Sequence, residues 1–380
     1  MNRLSGAALA AVGFCAVPAA AQDAERLFYF VDNDAAYESL VANIDRIDVV
    51  AASAYFVEED GVVWGDLDPR VIALARAHGA RVIPLLVNRG FDQQALHELL
   101  TDDAARARVA SSLAELCRRH DYDGIQIDFE NLSINDRDAF TRFYRESAAA
   151  LREAGCGISV AVVHRPDELP GPTPYHKWLF DSWRGGYDLA ALGDIGDFIS
   201  IMSYSQHTRR TPPGPQAGIP WVEDVVEYFL RFVPAGKLSL GIPVNSQHWY
   251  TSYEERITPE LARSYSAQLS HARALGMIER YDATVQWNDD HQVGYAFFPV
   301  GGTFEWIFLE DARSFRAKLD LMRRYGLRGF SVWVLGPEDP AIWESLPQRS
   351  GRTPAGEEQA TPPGEEPATP AGEEQATPAG

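Results

Sequence analysis

The 380-residue chain has little cysteine and a shortage of positive charge. Its three cysteines are too few for a disulfide scaffold and show no zinc-ligand spacing. Lys and Arg number 34 against 54 Asp and Glu, which gives a net charge of -20. Such a chain repels phosphate backbones and anionic lipid, so nucleic-acid binding is disfavoured from the start.

Several common functional motifs are also missing. The sequence contains no HExxH, GxSxG, Walker A or GxGxxG pattern. These patterns supply the metal ligands, the nucleophile or the phosphate cradle of metalloproteases, serine hydrolases and nucleotide-binding proteins. We therefore expect no metal and no cofactor. Hydrophobic residues nevertheless make up 46% of the chain, which is enough for a large folded core.

The first 21 residues have the composition of an export signal. Arg3 precedes a short apolar run over 7–17, and three alanines follow at 19–21. The apolar run is too short to cross a bilayer, and we expect no membrane span elsewhere. We therefore predict a secretory signal peptide at 1–21 and a periplasmic or extracellular protein. An ordinary buried helix is the alternative.

The opposite end is a repetitive tail. Residues 351–380 repeat Pro, Gly, Glu and Ala with a period of eight and contain almost nothing apolar. Such a segment cannot bury enough surface to offset its ordering entropy, so we predict a disordered tail. The folded part is then 22–350, and it still carries most of the negative charge.

Two cysteines remain once the signal peptide is removed. Cys117 lies late in one helical stretch and Cys156 follows the next. If those helices are neighbours, both cysteines lie near the same end of the fold. A disulfide formed in an oxidising compartment and two unpaired buried cysteines are equally compatible with the pattern.

Residues 22–350 alternate short apolar strands with amphipathic helices. Strands that are apolar on both faces are typical of parallel sheets covered by helices. Eight such units predict an α/β fold, a (β/α)8 TIM barrel, with a doubly wound open sheet as the alternative. The predicted strands cover 27–31, 48–56, 81–88, 124–129, 158–163, 197–204, 237–244 and 329–335.

One connection is too long for a simple loop. The segment over about 247–310 contains a helix-like stretch, at about 258–276, and strand-like pieces such as ATVQW and VGYAFF. We therefore predict a small α+β insertion between the seventh strand and the last helix.

The densest chemical signal is DYDGIQIDFENL, residues 121–132. Alternation along the strand places Gln126, Asp128 and Glu130 on one face, towards the barrel interior. Burying two acids there is costly unless they bond to each other or to a ligand. Neighbouring carboxylates split their proton affinities, which makes Glu130 a candidate general acid and Asp128 its partner. A hydrogen-bonded structural cluster without a reaction is the alternative.

This strand also resembles a known family. Asp123, Gly124, Asp128 and Glu130 match the fourth-strand motif of glycoside hydrolase family 18, the chitinase-like barrel enzymes, with Gln126 in place of the family's middle Asp. The resemblance extends over about 25–347 in the right order. Within the family it is closest to the branch of bacterial spore-germination and cortex-lytic glucosaminidases.

Other segments support the resemblance. Met202 and Tyr204 lie in MSYS, which looks like the family's Met-x-Tyr-Asp segment with Ser205 in place of Asp. Trp333 matches the Trp that forms the floor of the sugar subsite.

The resemblance implies substrate-assisted, retaining hydrolysis of an N-acetylated sugar. Glu130 would protonate the glycosidic oxygen, Asp128 would orient the acetamide of the substrate, and Tyr204 would bind its carbonyl oxygen. Trp333, Gln126 and Met202 would contact the substrate. We accordingly predict an exported, monomeric glycosidase for β-linked N-acetylglucosamine glycans, either peptidoglycan or chitin-like. A non-catalytic lectin-like member is the main alternative, and a structural envelope protein is a third.

Further candidates are single residues. Tyr55, Trp249 and Trp287 could stack on sugar rings, although such residues are also ordinary core residues. Asn88, His164 and Asn245 occur at strand ends, where barrel active sites are built.

Overall fold

The computed structural model of the protein describes residues 24–208, 211–251 and 264–349. The predicted signal peptide and repeat tail lie outside these residues. Eight parallel strands close into a barrel, because the first strand pairs with both the second and the last. The TIM-barrel prediction is confirmed, and this closure excludes the open sheet. In the described ranges, no helix is long and apolar enough to cross a membrane.

The strands include both the barrel and a second, antiparallel sheet. In chain order they are β1 (Glu25–Phe30), β2 (Val49–Val57), β3 (Val63–Gly65), β4 (Arg81–Val82), β5 (Leu85–Asn88), β6 (Gly124–Asp128), β7 (Gly157–Val163), β8 (Phe198–Met202), β9 (Leu238–Pro243), β10 (Ser246–Thr251), β11 (Ser264–Leu269), β12 (Gln286–Asn288), β13 (Val293–Val300), β14 (Thr303–Leu309) and β15 (Gly329–Trp333).

The helices mostly connect one barrel strand to the next. In chain order they are α1 (Asp34–Asn43), α2 (Pro69–Ala77), α3 (Gln93–Thr101), α4 (Asp103–His120), α5 (Arg137–Glu153), α6 (Pro174–Leu179), α7 (Leu189–Ile195), α8 (Ile219–Leu230), α9 (His271–Arg280) and α10 (Ala312–Arg324).

The barrel ring runs β1, β15, β9, β8, β7, β6, β5 and β2. The third barrel strand consists of β4 and β5, because Pro84 between them has no N–H for the ladder. Alternate residues of each strand face either the interior or the helices. On β6, Ile125 and Ile127 are fully buried in the layer under the helices, and Phe129 just beyond the strand stacks on Phe143 of α5.

The insertion lies between the seventh barrel strand, β9, and the last helix, as predicted. Its sheet has the order β11, β10, β14, β13, β12, and α9 covers one face through Ala274 and Ile278. The predicted helix over 258–276 is wrong in position, and part of it lies outside the described residues. Residues 264–269 form β11, which pairs with β10, and α9 begins only after its N-cap, Ser270.

The amino-terminal end of the barrel is fastened by two features. The Asp123 carboxylate accepts a hydrogen bond from the Val82 backbone N–H at 2.8 Å, which ties the start of β6 to β4. A disulfide joins Cys117, at the end of α4, to Cys156, just before β7, with a Cα–Cα distance of 6.5 Å. Both features lie away from the carboxyl ends of the strands.

Candidate active site

A cleft of about 680 Å³ opens at the carboxyl ends of the barrel strands. Every barrel strand, or the loop that follows it, contributes to its lining. Active sites of this fold occupy the same end of the barrel. Lining residues from the predicted set are Asp128, Glu130, Met202, Tyr204 and Trp333, together with His164 and Asn245.

Asp128 and Glu130 form an acidic pair in the cleft. Asp128 is the last residue of β6 and is only 7% exposed, and its Oδ1 has no hydrogen-bond partner in the described part of the chain. Burial raises the pKa of the Asp128 carboxyl above its ordinary value. Burial also raises the pKa of Glu130, and the nearby Asp128 charge raises it further. Glu130 is therefore able to hold a proton in a pH range where an exposed glutamate has lost it.

The backbone around Glu130 is fixed by two neighbouring side chains. Asn88, the last residue of β5, accepts a hydrogen bond from the Glu130 N–H at 2.9 Å and donates one to its carbonyl oxygen at 3.0 Å. Tyr187 donates its hydroxyl to the Phe129 carbonyl oxygen at 2.7 Å. These three bonds hold the segment that carries the acid. Sequence reasoning singled out Asn88 by its position at a strand end, but nothing in the sequence indicated Tyr187.

Three predicted contacts border the acidic pair. Tyr204 follows β8 and lines the same cleft as both carboxyls, and burial, together with the charges of Asp128 and Glu130, holds its pKa well above its ordinary value. Met202 ends β8 and also lines the cleft. Trp333 ends β15, and its ring lies 5.5 Å from that of Tyr29 on β1.

Gln126 lies beneath the cleft and does not line it. It is fully buried, its Oε1 accepts a hydrogen bond from the Tyr29 hydroxyl at 2.7 Å, and its Nε2 donates to Ser159 at 3.1 Å and Ser200 at 3.2 Å. The structure therefore gives Gln126 an internal role in place of the predicted substrate contact. A neutral amide suits the position, because it can both accept and donate without a buried charge.

The predicted aromatic contacts Tyr55 and Trp249 do not reach the cleft. Tyr55 faces the helix-covered layer, where its hydroxyl lies 2.9 Å from that of Tyr122; Phe56, the next residue, lines the cleft instead. The register of β2 shifts between Ser53 and Tyr55, which a strict alternation does not anticipate. Trp249 is 1% exposed within the insertion sheet.

Trp287, also in the insertion, does not line the cleft either. The Arg313 guanidinium covers its ring at 3.6 Å from the ring centroid.

The segment between β7 and α7, which includes α6, forms a cleft wall that was not predicted from the sequence. Tyr175 and Trp178 stack at 5.8 Å, and both line the cleft together with Trp183 and Arg184. The signal was present in the sequence as YHKWLFDSW, which places three aromatic cleft residues within nine positions after the fifth barrel strand.

The cleft is rich in buried polar atoms that lack partners within the described ranges. Besides Asp128 Oδ1, these are Trp183 Nε1, Arg184 Nε, Gln216 Nε2, and both Oδ1 and Nδ2 of Asn245. Buried polar atoms are normally hydrogen-bonded. Their concentration beside an acid with a raised pKa indicates a site for a polar ligand that also undergoes proton transfer.

Comparison with known proteins agrees with this geometry. The family model for glycosyl hydrolases family 18 matches residues 27–338. The chain belongs to this family. The match runs from within β1 to the segment after β15 and includes the acidic pair, Tyr204 and Trp333.

Individual relatives are of two kinds. The chain is 29% identical over 263 residues to the cortical fragment-lytic enzyme of Bacillus subtilis, covering 69% of this chain and 58% of the relative. The solved chitinase of Chromobacterium violaceum superposes with a TM-score of 0.75 at 27% identity, covering 86% of this chain and 98% of that one. The spore cortex-lytic enzyme SleL of Bacillus cereus shares the fold, with a TM-score of 0.73 at 20% identity and coverage of 84% and 73%.

Proposed function

We propose that the protein is an exported glycoside hydrolase that cleaves β-linked N-acetylglucosamine glycans with retention, using the acetamide of the substrate as nucleophile. The observation that carries the proposal is the Asp128–Glu130 pair in a cleft at the barrel mouth. Both carboxyls have raised pKa values, and one oxygen of Asp128 is unpartnered among the described residues. A lectin needs no such acid.

Glu130 serves as the general acid. Its raised pKa keeps it protonated near neutral pH, so it can protonate the glycosidic oxygen as the bond to the leaving sugar breaks. The ionised form then deprotonates the water that completes hydrolysis. The two hydrogen bonds between Asn88 and the Glu130 backbone keep the acid in position through both steps.

The acetamide of the bound sugar acts as the nucleophile, as in other family members. Its carbonyl oxygen attacks the anomeric carbon and forms a cyclic oxazolinium ion. Asp128 accepts a hydrogen bond from the acetamide N–H and stabilises the positive charge that develops there, which gives its free Oδ1 a partner. Tyr204 donates its hydroxyl to the acetamide carbonyl oxygen, and Trp333 supports the sugar ring.

Aromatic stacking and hydrogen bonds supply the binding energy. With a net charge of -20, long-range attraction of anionic polymers is weak. Phe56, Trp178, Trp183 and Trp333 give the cleft walls that suit the apolar faces of sugar rings. Peptidoglycan or a chitin-like oligosaccharide is the proposed substrate, and one chain forms the whole cleft.

Export is supported by two independent features. The amino-terminal sequence has the pattern of a signal peptide, and the Cys117–Cys156 disulfide is of a type that persists in oxidising compartments. We place the mature protein in the periplasm or outside the cell.

The test compares the wild-type protein with Glu130→Gln on N-acetylglucosamine oligomers and on purified peptidoglycan, with the released products separated by mass. Loss of the general acid should lower turnover about 10²- to 10⁴-fold, because Gln keeps the shape but cannot transfer a proton. Glu153→Gln, at the exposed end of α5 just before the start of β7, is a control that makes the same charge change at the amino-terminal end of the barrel, opposite the cleft.

Each outcome bears on a different part of the proposal. A wild type that cleaves neither substrate would contradict the enzyme hypothesis, and binding without cleavage would favour the lectin alternative. Equal turnover by wild type and Glu130→Gln would remove Glu130 from its role. A product that forms with inversion at the anomeric carbon would rule out the acetamide mechanism.

A further inference from the structure

Arg184, at the wall of the cleft, is a cation with no acidic partner among the described residues. Among the described residues that line the cleft it is the only cationic side chain, and no carboxylate in the described ranges lies within ion-pair distance of it. Its Nε is buried without a hydrogen-bond acceptor. Burial lowers the pKa of Arg184 to about 10, so the guanidinium remains charged at neutral pH.

Among the described residues, Arg184 makes one hydrogen bond, and it is to a neutral group. Its Nη2 lies 2.5 Å from His164 Nε2, and His164 Nδ1 lies 3.2 Å from the Met202 carbonyl oxygen. A carbonyl oxygen only accepts, so Nδ1 carries the proton and Nε2 accepts from Arg184. Burial and the Arg184 charge keep the pKa of His164 well below its ordinary value. The imidazole therefore positions the guanidinium without neutralising it.

Arg165, which also follows β7, is an arginine whose contacts are all structural. It donates to the backbone carbonyl oxygens of Asp167 and Glu168, lies near the Glu168 carboxylate, and covers the rings of Phe180 and Tyr228. Its charge and its donors are satisfied within the protein. Arg184 has none of these contacts with the described part of the chain, and it lines the cleft.

A second donor without an acceptor lies beside it. Trp183 Nε1 is buried, lacks a partner within the described ranges, and belongs to a side chain that lines the same cleft. An indole N–H group and a guanidinium on consecutive residues of one cleft wall are donors of the kind that bind a carboxylate. Two neighbouring residues, each with an unused donor, therefore indicate an anionic group on the ligand.

The position of Trp183 and Arg184 in the barrel indicates which of the two sugars at the scissile bond they contact. Trp333 ends β15, which lies opposite β6 in the barrel ring, whereas the Arg184 loop follows β7, next to β6. Gln93 ties that loop to the segment just after Glu130, since its amide donates to the carbonyl oxygens of Asn131 at 3.0 Å and Ser182 at 3.3 Å. Arg184 therefore lies on the Glu130 side of the cleft, across the barrel from Trp333, so a reacting sugar on Trp333 would leave this side to the leaving sugar.

We propose that Trp183 and Arg184 bind a carboxylate on the leaving sugar, so that the preferred substrate alternates N-acetylglucosamine with an N-acetylated sugar carrying a free lactyl ether carboxylate. This inference rests on the proposed function and deepens it. In strands that carry stem peptides this carboxyl is an amide. The reaction that supplies the substrate is therefore an amide hydrolysis that removes the peptide.

The test uses three glycans of equal length: the alternating glycan with free lactyl carboxylates, the same glycan with methyl amides, and an N-acetylglucosamine oligomer. Wild type should show a kcat/KM about 10- to 100-fold higher for the free acid than for the amide, the range expected for a charge-assisted pair. Arg184→Met should abolish this ratio and Arg184→Lys should keep part of it. Arg89→Met, which removes an exposed cation after β5 on the same rim, should leave the ratio unchanged.

The ratio of kcat/KM for the free acid to kcat/KM for the amide tests the carboxylate site separately from the glycosidase activity. Cleavage of the neutral oligomer by wild type reports the glycosidase alone, so a failure there counts against the proposed function and not against the carboxylate site. Equal rates for acid and amide in wild type would overturn the carboxylate site, and this result needs no variant to fold. A ratio that survives Arg184→Met, or falls equally in Arg89→Met, would also overturn it.

Discussion

Two layers of polar side chains inside the same barrel behave in opposite ways. In the lower layer, every side-chain oxygen and amide nitrogen is hydrogen-bonded to another member of the layer. In the mouth layer, the buried side chains leave polar atoms unpartnered within the described part of the chain. The lower layer is Tyr29 (hydroxyl), Gln126, Ser159, Ser200, Ser239 and Ser331, and the mouth layer is Asp128, Trp183, Arg184, Gln216 and Asn245.

This difference distinguishes polar side chains that stabilise the fold from polar side chains that remain available to bind a ligand. A buried polar group that is fully hydrogen-bonded stabilises one arrangement of the core. A buried polar group without a partner carries a desolvation cost that a ligand can offset. Polar residues inside a barrel therefore indicate a site only where some of their atoms remain unpartnered, and here that boundary falls between Gln126 and Asp128 on one strand.

The largest expected effect on turnover comes from the mouth layer. Asp128→Asn should lower kcat about 10²- to 10³-fold, because an amide cannot stabilise the positive charge on the acetamide nitrogen. Single-turnover measurement on an N-acetylglucosamine oligomer tests this. Asp123→Asn, at the other end of β6, is the matched control, since Asp123 bonds the Val82 backbone and should affect stability rather than kcat. Similar losses of kcat in both variants would show that Asp128 has no special role in catalysis compared with Asp123.

The pH profile should show the raised pKa of Glu130. Activity requires its protonated form, so turnover should persist above the pH at which an exposed glutamate ionises and fall as the pH rises through the raised pKa. The Asp128 charge contributes to that shift, and removing it should move the alkaline limb to lower pH in Asp128→Asn. The test is the residual kcat of Asp128→Asn measured across the pH range. An alkaline limb at the same pH as in wild type would contradict the effect of the Asp128 charge on the pKa of Glu130.

Paired glutamine variants test the boundary between the layers. Gln216→Leu should raise KM with little loss of stability, because its Nε2 has no described partner to leave behind. Gln126→Leu should lower the free energy of unfolding by about 1–3 kcal/mol with KM little changed, because it removes the hydrogen bonds of Gln126 with the Tyr29 and Ser159 hydroxyls. Ser200 loses one partner and keeps its hydrogen bond with Ser331. Urea unfolding and steady-state kinetics on both variants distinguish a substrate-binding role from a stabilising one. A loss of stability in Gln216→Leu together with a raised KM in Gln126→Leu would contradict both assignments.

The smallest effect on turnover is expected at the closed end of the barrel. Replacing Cys117 and Cys156 by serine opens a crosslink between residues 39 apart and should destabilise the protein by about 4 kcal/mol in the chain-entropy view. The folded variant should keep its kcat, because the disulfide lies at the opposite end from the cleft. Thermal unfolding and kinetics below the transition measure the two quantities, and a large loss of kcat would show that the two ends are coupled.

Much of this could be predicted from the sequence, for local reasons. Apolar strands alternating with amphipathic helices determine a parallel barrel, and the period of two along β6 places Gln126 and Asp128 inside and Ile125 and Ile127 outside. The order of residue types in DGxxxDxE and in MSYS identified the family before any coordinates. These features depend on neighbours in the chain, which the sequence shows directly.

Only the tertiary structure decided what each polar residue meets. The contacts of Gln126 come from three other strands, the break at Ser53 turned Tyr55 away from the cleft, and the pairing of Cys117 with Cys156 needed the helices to be placed. Arg184 was one of 34 basic residues in the sequence. That it has no acidic partner among the described residues could not be predicted from the sequence, because ion pairing depends on what surrounds a charge in three dimensions.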